Sequence, residues 1–396
     1  MDTGRQKMNI KEVDNKYLAN TYNRFPVEAS FGKGAILTDK SGKEYIDLGS
    51  GIGVNAFGYC DEVWCDAVKD QLLKIQHTSN LYYTEPSARL AKLLCQKTGM
   101  KKVFFSNSGA EANECAIKAA RKYASQKKGD EYFTIITLKN SFHGRTLTTL
   151  AATGQDKFHE LYKPLTDGFV SISAENIDEL ENAIKLYKPA AVMAECIQGE
   201  GGVIPLSADY LQAVRKITEK NDILLILDEV QTGNGRTGKL YGYMNYGIMP
   251  DIVSTAKGLG GGLPIGATLL GEKVQDIFEF GDHGSTFGAN PVSCAAALSI
   301  LERMTDDFLD EVKEKGNYLF EYFSKCKGIT AVSGMGLMIG LKTSRPANEI
   351  IGEALNAGVL LLSAKDKVRL LPPLNIDFDL LKKAASIISK ICEKEN

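Results

Sequence analysis

The sequence has almost no net charge: 47 Lys and Arg stand against 49 Asp and Glu, leaving −2. That excludes the broad positive field with which proteins hold nucleic acid or an anionic membrane. No apolar run approaches the ~18 residues that a membrane span needs. The eight cysteines (Cys60, Cys65, Cys95, Cys115, Cys196, Cys294, Cys326 and Cys392) are scattered, and none sits in a Cys-x-x-Cys pair or at zinc-like spacing from any of the four histidines. No metal site is therefore expected, and no disulfide framework at this length. Prolines are few, at 11, and neither a low-complexity tract nor an internal repeat is present. With 44% apolar and 24% charged residues, a disordered chain is excluded as well. Met1–Ile10 is polar and lacks the apolar segment of a signal peptide, so a cytoplasmic protein is expected.

Glycine is what the chain has in excess, 38 among 396 residues. A surplus without repeats points to tight turns and to backbone packed close against a ligand. The pattern of apolar residues predicts a hairpin over Ala35–Leu48, then helices over Cys60–Ile75 and Pro86–Thr98. From there strands and helices alternate. Strands are expected at Val103–Ser106, Phe133–Thr137, Ala190–Cys196, Ile223–Leu227, Ile252–Ala256 and Ala267–Leu270, with helices at Ala110–Ser125, Ile177–Leu186 and Ser207–Lys220. Short, continuously apolar strands between helices mean a mostly parallel sheet covered on both faces. After Pro291 come two long helices, strands near Gly336–Lys342 and Val368–Leu371, and a last helix to Lys394. The expected division is an N-terminal segment (1–54) packing with the small domain, a large α/β domain (55–290) and a smaller α+β domain (291–396).

Two glycine-rich stretches imitate nucleotide loops. Gly233, Gly235 and Gly238 spell G-x-G-x-x-G, and Gly233–Lys239 spells most of a P-loop. Leu240 stands where Mg²⁺ ligation needs Ser or Thr, and Tyr241–Gly247 has no helical periodicity to offer phosphate a helix N-terminus. Gly51–Ala56 is an equally generic partial match. A nucleotide-binding oxidoreductase or NTPase on these loops is kept only as a remote alternative. Ser106–Asn113 is the better anion candidate, because it joins a strand to a strong helix. Ser108 suits the N-cap, and the free N–H groups of Gly109 and Ala110 face past the helix start. By itself the motif fits an ordinary capped helix just as well.

Asp228 ends a very apolar strand, at the edge where parallel sheets bind ligands. After the next strand comes Lys257-Gly-Leu-Gly-Gly-Gly262. A lysine, an aspartate on a neighbouring strand and an anion site at a helix start together meet the needs of pyridoxal phosphate (PLP): Schiff-base partner, pyridinium partner and phosphate holder.

Seven motifs in order carry a family resemblance over essentially the whole chain. They are Ser108-Gly-Ala-Glu-Ala-Asn113, Phe142-His-Gly-Arg145, Gln198-Gly-Glu-Gly-Gly202, Leu227-Asp-Glu-Val-Gln-Thr-Gly233, Lys257-Gly-Leu-Gly-Gly-Gly262, His283-Gly-Ser-Thr-Phe287 and Arg369-Leu-Leu-Pro-Pro373. The chain resembles the class III PLP aminotransferases of fold type I. The resemblance implies that Lys257 is the Schiff-base lysine and proton carrier and that Asp228 holds the ring nitrogen protonated. It implies a cofactor site made of Ser108, Gly109, Ala110, Phe142, the run Asp228, Glu229, Val230 and Gln231, and Thr286. Gln231 would meet the ring's 3′ oxygen, Phe142 would stack on the ring, and Thr286 would reach the phosphate from the second copy in a homodimer with shared sites.

For substrates it implies Arg145 on the α-carboxylate of N²-acetylornithine with Ser285 beside it, Arg369 on the α-carboxylate of glutamate or 2-oxoglutarate, and Glu200 pairing with Arg369 while the amine donor is bound. His77–Pro86 also reads like the acetylornithine branch. The implied activity is transfer of a δ-amino group to 2-oxoglutarate by a ping-pong route, in arginine biosynthesis; ornithine, succinylornithine or another ω-amino acid is the alternative donor. His143 reads as a structural hydrogen-bonder and Trp64 as core. Two features depart from the family pattern: Cys196, where a proline often follows Glu195, and the charged stretch Ser363–Lys367 ahead of Arg369.

Overall fold

The computed structural model describes residues 9–394. Most of the segment read as free of a signal peptide, Met1–Ile10, lies outside them. After a first helix, Ile10–Tyr17, three strands, β1 (Ala29–Lys33), β2 (Ile36–Asp39) and β3 (Glu44–Asp47), form an antiparallel meander. The β2–β3 hairpin is the one expected around Asp39–Gly42: Asp39 Oδ1 accepts from Ser41 N (2.8 Å) and Lys43 N (3.1 Å), which closes the turn.

The main sheet uses β4 (Lys102–Ser106), β5 (Thr134–Leu138), β6 (Phe169–Ile172) and β7 (Pro189–Ala194). A two-rung hairpin follows, β8 (Ile197–Gln198) with β9 (Ile204–Pro205). Then come β10 (Leu224–Asp228), β11 (Ile252–Thr255) and β12 (Gly266–Leu270). The order across the sheet is β4-β12-β11-β10-β7-β5-β6. All strands run parallel except β12, which pairs antiparallel with both neighbours. Its reversal follows from the connection: Ala256–Ile265 is a turn without a crossover helix, and a parallel neighbour requires a longer excursion. Every residue of β5, β7, β10, β11 and β12 is buried, as their unbroken apolar runs require. Helix Gly109–Lys128 lies across β4, β7, β10, β11 and β12, with Ala112, Ala116, Ala119 and Ala120 fully buried so that it sits close to the sheet.

The rest of the chain forms β13 (Ile329–Met335), β14 (Met338–Thr343), β15 (Val359–Leu360), β16 (Leu362–Ala364) and β17 (Lys367–Leu370). Four of these make a second sheet, β13-β14-β17-β16, backed by helices Asp306–Ser324 and Ala347–Asn356, with helix Phe378–Cys392 packed against both helices. β15 instead adds in parallel to β3, tying the N-terminal meander to this region. Sequence reading misses β6, β13 and helix Ala347–Asn356. β6 is an edge strand with only one buried residue, β13 is largely half-exposed and has a glycine in it, and the helix is short with Gly352 inside. Trp64 is half-buried rather than core, its indole N–H donating to Gly260 O at 2.9 Å. No helix among the described residues is long and apolar enough to cross a membrane.

β10 is the central support of the site, so truncation there is costly. Ile226→Ala removes a fully buried side chain and is expected to cost about 2–5 kcal/mol. The check is a denaturant titration, in which the midpoint falls with little change in slope.

Candidate active site

A cavity of about 600 Å³ opens at the carboxyl edge of the main sheet and is lined by Lys257, Asp228, Gln231, Phe142, Arg145 and the helix start Ser108–Ala110, among others. β10 and β11 are adjacent, in register at Asp228 and Ser254, so Asp228 and the Lys257 turn reach the edge side by side. Ser108 caps the helix through Oγ, which accepts from Glu111 N at 3.2 Å. Gly109 and Ala110, at the helix start ahead of that bond, line the cavity. Gly266, opposite in β12, cannot carry a side chain, because a Cβ there would lie 2.3 Å from Ser108 O.

Asp228 is buried and held by three donors. Asn113 Nδ2 and His143 Nδ1 each lie 2.8 Å from its Oδ2, and Val230 N lies 3.0 Å from its Oδ1. His143 is thus the hydrogen-bonder expected, but aimed at the central carboxylate. Lys257 is a non-glycine residue at φ 42°, a conformation that costs roughly 1–2 kcal/mol. Its amine has a lowered pKa; burial is the chief cause, and Glu200, Asp228 and Glu195 oppose it.

Arg145 is placed without an acid at salt-bridge distance among the described residues. Its guanidinium lies 4.4 Å from the Phe158 ring centre and 5.6 Å from that of Phe142. Aromatic faces hold the cation while leaving its N–H fork free for a carboxylate. Arg369, at the end of β17, is buried and engaged: Nη1 donates to Glu200 Oε1 at 2.6 Å and to Gln231 Oε1 at 3.1 Å. Burial pushes the Glu200 pKa up, but Arg369 beside it prevails and holds the carboxyl below its ordinary range.

Glu229 and Ser285 stand elsewhere, and Thr286, expected to serve a second copy, also lies outside this cavity. Glu229 turns away from the cavity into the protein, where it accepts from Thr232 Oγ1 (2.6 Å), Gly242 N (2.8 Å) and Tyr243 N (2.7 Å). Adjacent residues on an extended chain point to opposite sides, so Asp228 at the cavity puts Glu229 behind it. Ser285 and Thr286 line a separate depression beyond Asn107, with Ser285 Oγ accepting from Asn107 Nδ2 at 3.1 Å. The Gly233–Lys239 loop opens no α-helix, and Gly233–Gly238 are buried, so it offers phosphate no helix N-terminus.

Glu195 was missed as a site residue. It is buried at the cavity, with Oε1 accepting from Phe142 N (2.9 Å) and Oε2 from Gly199 N (3.2 Å), so it joins the Phe142–Arg145 loop to the Glu200 loop. Asn113 was also missed; its place inside a helix gave no sign that it meets Asp228. The two departures from the family pattern leave the site intact. Cys196 is buried with Sγ 3.7 Å from Glu229 Oε1, and Lys365, Asp366 and Lys367 bond to Asn140, Lys342 and Ser333 rather than to Arg369.

Residues 17–392 match the family described as Aminotransferase class-III. The chain is 50% identical to the acetylornithine aminotransferase of Haemophilus ducreyi over 96% of its own length and 98% of that protein's, and 45% identical to that of Methanocaldococcus jannaschii over 92% and 93%. Among solved structures it is similar to the N-acetylornithine aminotransferase of Stenotrophomonas maltophilia (34% identity, TM-score 0.83, 96% and 97% covered). It is also similar to the ornithine aminotransferase of Toxoplasma gondii (30%, TM-score 0.92, 97% and 94%). The chain belongs to the class III aminotransferases, PLP-dependent enzymes of fold type I. The residues fit that cofactor: one cavity brings together a lysine of lowered pKa, a buried carboxylate with its own donors, and unpaired helix-start N–H groups.

Burial raises the carboxyls of Glu195 and Glu229 from 4.5 to about 7, against the donors that face them. The folded chain therefore binds these protons more tightly than the unfolded one. Their stabilising contribution is complete below the ordinary value and is lost as pH rises through about 7. Glu229→Gln removes one of the two titrations. Its thermal midpoint, followed by differential scanning fluorimetry, is expected to fall less than the parent's between pH 5 and pH 8.

Proposed function

We propose that this enzyme moves the δ-amino group of N²-acetyl-L-ornithine to 2-oxoglutarate, giving N-acetylglutamate 5-semialdehyde and glutamate in two half-reactions at one cavity. The observation that carries the reading is the contrast between its two arginines: Arg145 has a free fork, while Arg369 is covered by Glu200 at 2.6 Å. A donor with one α-carboxylate needs only Arg145. A five-carbon dicarboxylate needs a second cation, which becomes free when Glu200 swings off it. Identity of 50% with an acetylornithine aminotransferase supports the donor.

When bound, PLP supplies an electron-withdrawing ring that accepts the electron pair left as the substrate C–H bond breaks. The chain's residues do the rest. Lys257 Nζ anchors the cofactor and carries the proton off the substrate carbon; its lowered pKa lets the neutral amine form. Asp228, kept in place by Asn113 and His143, holds a proton at the ring nitrogen. Gly109 and Ala110 bind phosphate by backbone N–H, with Ser108 shaping the turn. Phe142 and Val230, which line the cavity, would hold the ring, and Gln231 would meet its 3′ oxygen. Arg145 holds the donor's carboxylate, with Ser285 of a second copy reaching the same substrate, and Arg369 holds the acceptor's.

Ser285 and Thr286 face outward in the single chain, which supports a homodimer in which Thr286 of a second copy completes the phosphate site. Exposed Leu72, Leu73, Leu81, Tyr82, Tyr83 and Phe287 supply apolar surface for such a contact, and Asn80 Nδ2 joins the Leu81–Tyr83 segment to Ser285 O (3.1 Å) and Gly288 O (2.9 Å). The proposed division into 1–54, 55–290 and 291–396 is supported by the two separate sheets and by β15 pairing with β3.

Steady-state kinetics with acetylornithine, succinylornithine, ornithine and 4-aminobutyrate are expected to rank acetylornithine first by kcat/KM; any other order refutes the donor. Arg145→Ala should lose on the order of 100-fold in kcat/KM for the donor while keeping the holoenzyme's visible absorption band, which borohydride removes and Lys257→Ala lacks. Co-expressed Lys257→Ala and Thr286→Glu chains, each inactive alone, should recover about a quarter of parental activity, because random pairing leaves one intact site in each hybrid dimer. No recovery would refute the shared site.

A further inference from the structure

The loop that imitates a P-loop holds a charge that neither the cofactor nor the substrates use. Arg236 is 2% exposed. Its Nη1 donates to two backbone carbonyls, Leu337 O at 3.0 Å and Pro372 O at 2.6 Å. Its own carbonyl accepts from Leu337 N at 3.0 Å. Among the described residues no carboxylate lies at salt-bridge distance from it. Burial pulls its pKa down to about 9 with nothing opposing, and at neutral pH the guanidinium stays charged. A buried cation without a counter-ion costs several kcal/mol, and a methionine of similar length would avoid that cost.

The placement of its partners gives it a task. Leu337 lies in the turn between β13 and β14, and Pro372 lies three residues beyond Arg369, just after β17. Arg236 itself is five residues beyond Gln231, whose Oε1 accepts from Arg369. One loop therefore grips the Arg369 segment twice, through the Gln231 side chain on Arg369 and the Arg236 side chain on the Pro372 carbonyl. The approach is close: a Cβ on Gly336 would lie 2.7 Å from Arg236 O. Neighbouring anchors fix the same stretch from the N-terminal side, with Leu371 N on Leu48 O (2.6 Å) and Leu374 N on Ala56 O (2.7 Å). The loop that starts at Asp228 holds it through Gln231 at Arg369 and through Arg236 at Pro372.

We propose that Arg236 is a positioning residue for Arg369, setting its reach from Gln231 and Glu200 and thereby the affinity for the 2-oxoglutarate and glutamate half-reaction while sparing the acetylornithine half-reaction. This rests on the reading of Arg369 as the acceptor's carboxylate-binding residue. Arg145 stands on the other loop, fixed by Glu195 and aromatic rings, with no bond to Arg236 or its partners.

The test uses holoenzyme of Arg236→Met, Arg236→Lys and Arg369→Ala, with each half-reaction followed separately by single-turnover absorbance. Arg236→Met is expected to raise the half-saturating 2-oxoglutarate concentration about tenfold or more, a loss of about 1.4 kcal/mol, and to leave that for acetylornithine within about twofold. Arg236→Lys keeps the charge and can reach one carbonyl, so it should fall between. Equal weakening of both half-reactions, or no change in either, overturns the proposal. Should the methionine variant not fold, the lysine variant must show the same split, and its absence there is equally decisive. If Arg369→Ala leaves the 2-oxoglutarate half-saturation unchanged, the assignment of Arg369 itself is wrong and the proposal falls with it. A large effect of Arg369→Ala without the split at Arg236 overturns the positioning role alone.

Discussion

A carboxylate stands at the end of β10 with 4% of its residue exposed, and three donors from three segments close on it. Asn113 comes from the helix that follows the anion cradle, His143 from the loop that carries Phe142 and Arg145, and Val230 from the turn that carries Gln231. An ionised group with so little water must be bonded at nearly every lone pair. Meeting that demand at Asp228 fixes the helix, the aromatic loop and the Gln231 turn relative to one another. The cofactor cavity is the space those three segments leave.

The same rule shapes the loops farther out. Glu195 bridges two backbone N–H groups, Glu229 takes two N–H groups and a hydroxyl, and Arg236 gives to two carbonyls. None of these three charges needs to touch a reactant. Each replaces water with backbone, so each converts a flexible, glycine-rich loop into one arrangement. The groups proposed to do the chemistry are left on rigid supports: the free fork of Arg145, the amine of Lys257 and the N–H groups of the helix start. The surplus of glycine fits this picture. At Gly266 and Gly336 the backbone runs against a carbonyl where no side chain has room.

Much of this was legible in the residues. The buried strands β7, β10, β11 and β12 announce themselves as apolar runs, and the lysine, aspartate and capped helix start identify the cofactor chemistry. Elements with little buried apolar surface were not legible: β6 at the sheet edge, half-exposed β13 and helix Ala347–Asn356 with its internal glycine. The reversed direction of β12 was hidden as well, since apolar content says nothing of strand polarity and only the short connection from Lys257 decides it. In the site, Asn113 and Glu195 were missed because their partners lie far off in sequence, Asp228 for one and Phe142 for the other.

By itself the sequence carried the family resemblance and, through it, the cofactor and the roles proposed for Arg145 and Arg369; residue type and spacing alone placed a lysine, an aspartate and a helix start that together meet the needs of PLP. The tertiary structure decided which charges are tools and which are fasteners. Glu200 and Glu229, or Arg369 and Arg236, are chemically the same groups. Glu200 and Arg369 pair with each other beside Gln231, which lines the cavity, whereas Glu229 and Arg236 are held by backbone groups inside the protein; that difference lies in the direction each side chain leaves its strand or loop and in what packing brings opposite it.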